Sequence, residues 1–209
     1  MEGIPDWLHW ARRIQAIAQN GLTYADSQFD RDRYQQLQQL AVEILAAHTG
    51  EAPATIDAWT RIQPGYATPK VDVRAACFRD GRILMVRERS DERWCLPGGW
   101  ADVGDGPAEA AEREVAEESG FTAKARKVIA VRDCNRTGGT PPLALVHAFK
   151  VTFLCDITGG EASPDHEILE VGFFARHEIP PLSRNRTNEA LLDECFRHLD
   201  EPGRPTAFD

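Results

Sequence analysis

The hydrophobic pattern of this 209-residue chain changes its period near residue 70. Between residues 5 and 48, apolar side chains recur every three or four positions, and Asn20-Gly21 and Thr49-Gly50 interrupt the pattern. This pattern predicts two amphipathic helices, each ended by one of these pairs. Beyond residue 70, short runs rich in β-branched and aromatic residues alternate with turn signals, which is typical of strands. The sequence therefore predicts a mixed protein, α+β or α/β with α+β preferred, that begins with an N-terminal helical hairpin.

The hairpin is predicted to comprise residues 1–50. One helix places Trp7, Trp10, Ala11, Ile14, Ile17 and Ala18 at helical spacing, and the other places Tyr34, Leu37, Leu40, Ala41, Ile44 and Leu45 on one face. Two helices bury too little surface to be stable alone, so we expect the pair to pack on the rest of the chain or on a second copy, giving a homodimer. A DNA-reading helix-turn-helix is the alternative. Residues 1–50 hold four arginines, no lysine and six acidic residues, which is unfavourable for DNA binding.

Three prolines in residues 51–69 predict a linker, and residues 70–209 are expected to form the main domain. Strands are predicted at 71–78, 82–89, 125–133, 143–155 and 171–175, with a hairpin turn at Arg79-Asp80-Gly81. Helices are predicted at about 107–119 and 187–199. Asp105 or Gly106 is expected to cap the first of these, and Gly120 to end it.

Composition limits the partners and the compartment. Apolar residues make up 42% and charged residues 27% of the chain, and no apolar run approaches a membrane span. The N-terminus lacks the features of a signal peptide, and the five cysteines form no C-x-x-C pair, so we expect a cytoplasmic protein with buried, unpaired thiols. The net charge of −9 argues against unspecific binding to nucleic acid or to an anionic membrane. A phosphate-rich substrate would need local positive charge, such as bound metal ions.

The helix at 107–119 concentrates negative charge. Glu114, Glu117 and Glu118 fall within roughly a third of the helix circumference at ~100° per residue, and like charges at this spacing repel. Arg113 can neutralise part of that face. One interpretation is a solvated acidic surface. The other is a site for a hard cation, Mg²⁺ or Mn²⁺, which prefers oxygen ligands and bridges to substrate phosphates.

The flanking residues favour the cation site. Residues 99–121 resemble the Nudix hydrolase signature, G-x5-E-x7-R-E-U-x-E-E-x-G-U, in which U is aliphatic or aromatic. Gly99, Arg113-Glu114-Val115, Glu117-Glu118 and Gly120-Phe121 match it, and Asp105 replaces the first glutamate, so eight of nine defined positions agree. The resemblance implies an α/β/α sandwich with a mixed sheet between helices.

By the same resemblance, Glu114, Glu117 and Glu118 bind the metal, helped by the carbonyl of Gly98. Asp105 stands where the family has a structural partner for Arg113, and its shorter side chain is expected to loosen that contact. The implied reaction is hydrolysis of a nucleoside diphosphate linked to a group X, yielding a nucleoside monophosphate and X-phosphate. The resemblance leaves the general base open: it is Glu114 on the helix or a loop glutamate. Those loop glutamates are Glu161, Glu167, which is next to His166, and Glu170.

The substrate is less constrained than the reaction. Arg74 and Arg87 lie in strands expected to lead toward the site and are our choices for phosphate contacts, ahead of Arg89 and Arg93. The N-terminal helices resemble a Nudix subgroup that acts on X-linked nucleoside diphosphates such as CDP-choline or ADP-ribose. Many ADP-ribose enzymes have a proline where Thr137 stands, which argues against ADP-ribose. A nucleotide-sensing module without activity and hydrolysis at the 5′ end of RNA remain alternatives.

Overall fold

The computed structural model describes residues 5–61, 64–134 and 147–209. Within these ranges the chain forms five helices, α1 (Asp6–Tyr24), α2 (Gln28–Thr49), α3 (Pro53–Thr60), α4 (Pro107–Ser119) and α5 (Glu189–Asp200). The same ranges contain seven strands, β1 (Lys70–Arg79), β2 (Arg82–Glu88), β3 (Trp94–Cys95), β4 (Phe121–Asp133), β5 (Ala148–Gly160), β6 (Ile168–Phe174) and β7 (Ala207–Phe208). The described residues divide into two compact units, one with residues 5–61, 64–69 and 147 and the other with residues 70–134 and 148–209.

The second unit contains one mixed sheet with the order β3-β2-β1-β5-β4-β7. Strands β1 and β5 are parallel neighbours, with Asp72 opposite Lys150. Strand β2 pairs antiparallel with β1 near its start and with β3 near its end, while β6 pairs along its other edge. All five predicted strand segments overlap observed strands, although residues 143–146 of one lie outside the described residues. The sequence did not predict the two-residue strands β3 and β7.

The sheet is covered by a helix on each face. On β1, Val73, Ala75 and Cys77 join the apolar cluster beneath α4, whereas Ala76 and Phe78 join the cluster beneath α5. This alternation follows from the two-residue period of a strand. Both helices contribute apolar side chains to these clusters. The predicted sandwich, with a mixed sheet between helices, is therefore confirmed.

The first unit contains α1, α2 and α3. The prediction that Asn20-Gly21 ends the first helix is wrong, because α1 continues to Tyr24. A Cβ atom at Gly21 would lie 2.3 Å from the ring of Tyr34 on α2, so this glycine allows close packing of the two helices. The helix does end at Gly50 in α2, where the backbone turns left-handed with a φ of 74°.

Apolar residues of α1 divide between two faces. Ala11 and Ala18 are buried, and Ala11 packs with residues of α2 and α3. Trp10 and Tyr24 are 57% and 69% exposed, and Ile17 between them is also exposed. The single apolar face expected from the sequence is thus divided, and we call Trp10, Ile17 and Tyr24 the α1 stripe.

The segment 51–69 is more structured than a linker, because its first half forms α3. Ile56 of α3 is fully buried against Ala11, Val42 and Leu45. The backbone N–H of Ala67 donates to Asn20 Oδ1 at 2.6 Å, and Gln19 Nε2 donates to the carbonyl of Gly65 at 2.8 Å. The described part of this segment therefore belongs to the first unit. The three prolines of this segment predicted a linker, but Pro53 instead begins α3, because proline is well suited to the first turn of a helix.

All five cysteine thiols are free, and Cys77, Cys95, Cys155 and Cys195 are buried as expected, with Cys134 partly buried. Of the helices in the described ranges, none combines the length and the apolar composition that crossing a membrane requires.

Candidate active site

The Gly98-Gly99 pair is held against the edge of β1. Val73 N–H donates to the carbonyl of Gly99 at 2.8 Å, and Ala75 N–H donates to the carbonyl of Pro97 at 2.9 Å. Gly98 has a φ of 146°, and a Cβ atom there would lie 2.0 Å from the carbonyl oxygen of Val73. Only glycine fits this position without moving the backbone of β1. The N–H of Gly98 is left to point toward α4.

Helix α4 begins and ends as the sequence predicts. Gly106 is the residue before its first turn, and the Gly106 N–H donates to Glu109 Oε2 at 3.0 Å. Gly120 ends the helix in a left-handed conformation with a φ of 76°. Val115 is fully buried beneath the helix. With Val115 facing the core, Glu114 and Glu118 lie toward the glycine pair.

Glu118 is a buried carboxylate bound to the glycine turn. Its Oε2 accepts a hydrogen bond from Gly98 N–H at 2.9 Å, and the residue is only 9% exposed. Burial, together with the charges of Glu114 and Glu88, raises the pKa of Glu118 to about 8, although the charge of Arg74 and the Gly98 hydrogen bond oppose the shift. The protein therefore holds a carboxylate where its ionised form is costly.

Glu114 lies at the same turn. Its carboxylate would be 3.1 Å from a Cβ atom at Gly99, so this glycine also makes room for an acidic side chain. Burial raises the pKa of Glu114, and Glu117 adds to the effect, while Arg113 opposes it. Two carboxylates thus lie at the glycine pair, that of Glu118 buried and that of Glu114 partly buried.

Arg113 neutralises only part of the acidic face. Its Nη1 lies 2.8 Å from Glu117 Oε2 and 3.2 Å from Glu114 Oε1, and its Nε lies 3.2 Å from Asp105 Oδ2. The predicted partial neutralisation is therefore observed, and the shorter Asp105 still reaches Arg113. Glu117 is exposed and is directed toward Arg113.

The acidic side chains at the glycine turn are candidate ligands for a divalent cation. In residues 5–61, 64–134 and 147–209, no three His, Cys, Asp or Glu side chains are arranged as a ready-made metal centre. Glu114 and Glu118 nevertheless fit a hard cation, because their donors are oxygen atoms and burial disfavours their negative charges. A cation there would offset both the burial and the mutual repulsion.

Arg74 lies on β1, beside the segment that leads into the glycine turn. It is only 4% exposed, and its guanidinium binds both carboxylate oxygens of Asp72, at 3.0 and 2.8 Å, and the carbonyl of Leu96 at 3.2 Å. Lys150, the neighbour of Asp72 on β5, lies 4.0 Å from the same carboxylate. Arg74 is therefore a buried residue beside the glycine turn, and its contact with substrate stays a prediction.

The remaining predicted residues lie on β2, on β6 and in the segment between β5 and β6. Glu170, expected in a loop, lies instead in β6, where it forms an ion pair with Arg87. The Glu167 side chain is 69% exposed beside the exposed His166. The carbonyl of Glu161 packs close to Gly120 at the end of α4. Their catalytic roles stay predictions.

Two charged residues near the site were missed by the sequence analysis. Asp72 follows the same two-residue period as Arg74, and charges repeated on one face of an otherwise apolar strand were the signal that could have found it. Glu88, the last residue of β2, is buried and influences Glu118. Nothing in the sequence indicates that Glu88 is buried, because glutamates at strand ends are usually exposed.

Comparison with known proteins gives two family matches. Residues 68–195 match the NUDIX domain, and residues 5–60 match a UDP-X-like, N-terminal oligomerisation domain. YjhB of Bacillus subtilis (strain 168), provisionally named an ADP-ribose pyrophosphatase, is 37% identical over 203 residues, which cover 97% of each chain.

Solved structures give the same result. A crystal structure of a UDP-X diphosphatase is 31% identical, with a TM-score of 0.63 and 98% of each chain covered. An ADP-ribose pyrophosphatase from Streptococcus suis 89-1591 is 36% identical with a TM-score of 0.61, covering 68% of this chain and 100% of that one. The chain belongs to the Nudix hydrolase family, which confirms the resemblance drawn from residues 99–121 and from the N-terminal helices.

Proposed function

We propose that the protein hydrolyses the pyrophosphate bond of nucleoside diphosphates linked to a group X, in a reaction that requires Mg²⁺ or Mn²⁺. The observation that carries this proposal is the pair of buried carboxylates, Glu114 and Glu118, at the Gly98-Gly99 turn. Buried carboxylates without full neutralisation are unfavourable in a purely structural role. They suit a site that receives a cation together with phosphate groups.

Glu114, Glu117 and Glu118, with the carbonyl of Gly98, are the residues that we assign to metal binding. A bound divalent cation supplies charge neutralisation at the phosphoryl oxygens and orients the attacking water. Glu118 is fixed by the Gly98 N–H, and Arg113 holds Glu114 and Glu117 on one side of the helix. These contacts keep the carboxylates oriented before substrate arrives.

The general base is assigned to Glu114 in preference to Glu167. Glu114 lies at the glycine turn, whereas the Glu167 side chain is largely exposed. The base takes a proton from water as the oxygen bonds to one phosphorus and the bond to the bridging oxygen breaks, releasing nucleoside monophosphate and X-phosphate. Glu167 on its loop remains the alternative base.

The substrate class is supported by the relatives. The names of similar proteins specify ADP-ribose or UDP-X compounds, so we place these ahead of CDP-choline. Thr137, which argues against ADP-ribose, lies outside the described residues. Arg87 and Arg74 stay our choices for phosphate contacts. Arg87 would have to exchange Glu170 for substrate.

The proposal is tested by incubating the protein with Mg²⁺ and ADP-ribose, UDP-sugars, CDP-choline, dinucleoside polyphosphates or 5′-triphosphate RNA, and identifying products by mass. We expect a nucleoside monophosphate from one of the NDP-X compounds. Glu118→Gln should lower kcat by about 10²-fold or more. Glu112→Gln is the matched control, since Glu112 lies on α4 but binds Lys124 and the Ala125 N–H instead of the glycine turn.

Other outcomes would replace the proposal. Release of pyrophosphate from RNA alone would favour the RNA 5′-end activity. Tight nucleotide binding without turnover of any compound would favour the sensor. Equal activity of the Glu118→Gln and wild-type proteins would exclude the assigned site.

We also infer that two copies associate through the first unit. Trp10, Ile17 and Tyr24 are spaced by seven residues, so the α1 stripe follows one side of the helix. Their exposure is unusual for large apolar side chains placed in a row. The match of residues 5–60 to an oligomerisation domain supports a second copy as the partner.

A further inference from the structure

The turn at residues 183–187 is attached to the segment that leads into the glycine pair. Thr187 Oγ1 accepts a hydrogen bond from Leu96 N–H at 2.9 Å. Leu96 is two residues before Gly98, whose N–H binds Glu118. The position of this turn therefore bears on the position of a carboxylate assigned to metal binding.

Arg186 is the residue that joins this turn to β2 and to the loop after it. Its Nε lies 3.0 Å from Glu88 Oε1, and its Nη1 lies 3.6 Å from Asp91 Oδ2. Nη1 also donates to Ser183 Oγ at 3.1 Å, and Nη2 donates to Ser90 Oγ at 3.3 Å. One guanidinium thus contacts four side chains from two separate chain segments, a geometry that suits the planar fork of arginine.

Glu88 depends on this contact. It is buried at the end of β2, where its Oε1 also lies 3.5 Å from Cys95 Sγ, a weak donor. Without Arg186, the buried Glu88 carboxylate would lose its ion pair and keep the weak contact with the Cys95 thiol.

Lys150 holds the same turn from β5. Its Nζ donates to the carbonyl of Asn185 at 3.2 Å and to the carbonyl of Arg186. Lys150 therefore links the backbone of the turn to β5, while the Arg186 side chain links the same turn to Glu88 at the end of β2. This arrangement leaves the guanidinium little freedom.

We propose that Arg186 is a positioning residue for the hydrolytic site. Its guanidinium neutralises Glu88 and fixes the 183–187 turn, so that Thr187 holds Leu96 and, through the following residues, the Gly98 N–H that orients Glu118. The effect on turnover rests on the proposed function, whereas the effect on the Leu96–Gly98 segment stands on the contacts alone.

The test compares Arg186→Met with Arg184→Met, a matched control from the same turn whose exposed guanidinium pairs with Glu189. The first readout is amide hydrogen exchange at Leu96 and Gly98 in metal-free protein. Arg186→Met should accelerate both amides about tenfold or more, because the segment opens locally more often. Arg184→Met should leave both amides at the wild-type rate.

The second readout is steady-state kinetics with Mg²⁺ and an NDP-X substrate. Arg186→Met should lower kcat by about 10- to 100-fold, with KM changed by less than about threefold, because misplacement affects the reacting geometry more than binding. Adding Glu88→Gln to Arg186→Met should recover most of the loss, since the unpaired charge is then removed. Arg186→Lys, which keeps the charge, provides a second variant if the methionine variant does not fold.

Several results would overturn the proposal. A higher KM with unchanged kcat and unchanged amide exchange would make Arg186 a substrate ligand. Failure of Glu88→Gln to restore Arg186→Met would separate the arginine from Glu88. If the wild-type protein turns over no compound, the proposed function fails, and wild-type amide exchange in Arg186→Met would then overturn the positioning role independently.

Discussion

Helices α4 and α1 depart from the usual burial pattern in opposite directions. Helix α4 buries the carboxylate of Glu118, whereas α1 exposes the rings of Trp10 and Tyr24. Each arrangement is unfavourable for an isolated chain, because buried charge lacks solvation and exposed aromatic surface orders water. The two proposals explain the departures in the same way: a bound cation would stabilise the buried carboxylates of α4, and a second copy would cover the exposed side chains of α1.

The largest effect is expected at Glu114. If it is the general base, Glu114→Gln should lower kcat by about 10³-fold, whereas Glu167→Gln should change kcat by less than about threefold. Steady-state kinetics with saturating Mg²⁺ measures both. The reverse ranking would assign the base to the loop and would limit the buried carboxylates of α4 to metal binding.

The cost of burying Glu118 should appear as a pH dependence of stability. Its pKa is about 8 in the folded protein against an ordinary value of 4.5, so the folded state binds this proton more tightly. The stability that the proton contributes is fully present below pH 4.5 and is lost as the pH rises through 8. In chelator, the free energy of unfolding should fall by a few kcal/mol between about pH 5 and 8, at up to ~1.4 kcal/mol per pH unit.

Urea unfolding at several pH values measures this slope. Glu118→Gln keeps the size of the side chain and cannot ionise, so its slope should be smaller and it should be the more stable protein at pH 8. The same slope in both proteins would show that Glu118 is not the carboxylate responsible.

The α1 stripe offers the corresponding test for the first unit. Ile17→Glu would place a charge in the middle of the stripe and should raise the dissociation constant of the dimer by at least about 30-fold, or ~2 kcal/mol. Sedimentation velocity measures the shift. Arg33→Glu, on the exposed surface of α2, is the control. A monomeric wild-type protein would contradict the proposal that a second copy covers the α1 stripe.

A smaller effect is expected at Gly21. Gly21→Ala would bring a Cβ atom to within 2.3 Å of the Tyr34 ring, so α1 and α2 would have to separate or the ring would have to move. We expect a loss of about 1–3 kcal/mol in the unfolding free energy. Equal or greater stability would instead support the original expectation that this glycine only weakens the helix.

The same two helices show what sequence can and cannot predict. The bounds of α4 and the orientation of Val115 were predictable, because the cap, the apolar position and Gly120 all lie within the helix or next to it. The division of α1 into two faces was not, because it depends on α2 and α3. Gly21 was read as a helix stop, although its role depends on Tyr34, thirteen residues away.

The site divides in the same way. Glu114 and Glu118 were recognisable from their spacing, whereas Glu88 meets Arg186 only because a turn distant in the sequence lies against the end of β2. Arg74 was chosen for its strand and charge, but its burial and its pairing with Asp72 could not be read from its neighbours. Long-range contacts carry this information, and local sequence does not specify them.

The most direct test of the account is Mn²⁺ binding to the protein without substrate, measured by electron paramagnetic resonance of the free ion. We expect the wild-type protein and Glu112→Gln to bind Mn²⁺ with similar affinity, and Glu118→Gln to bind it at least about tenfold more weakly. Equal affinity in all three proteins would contradict the claim that the buried carboxylates of α4 form a cation site.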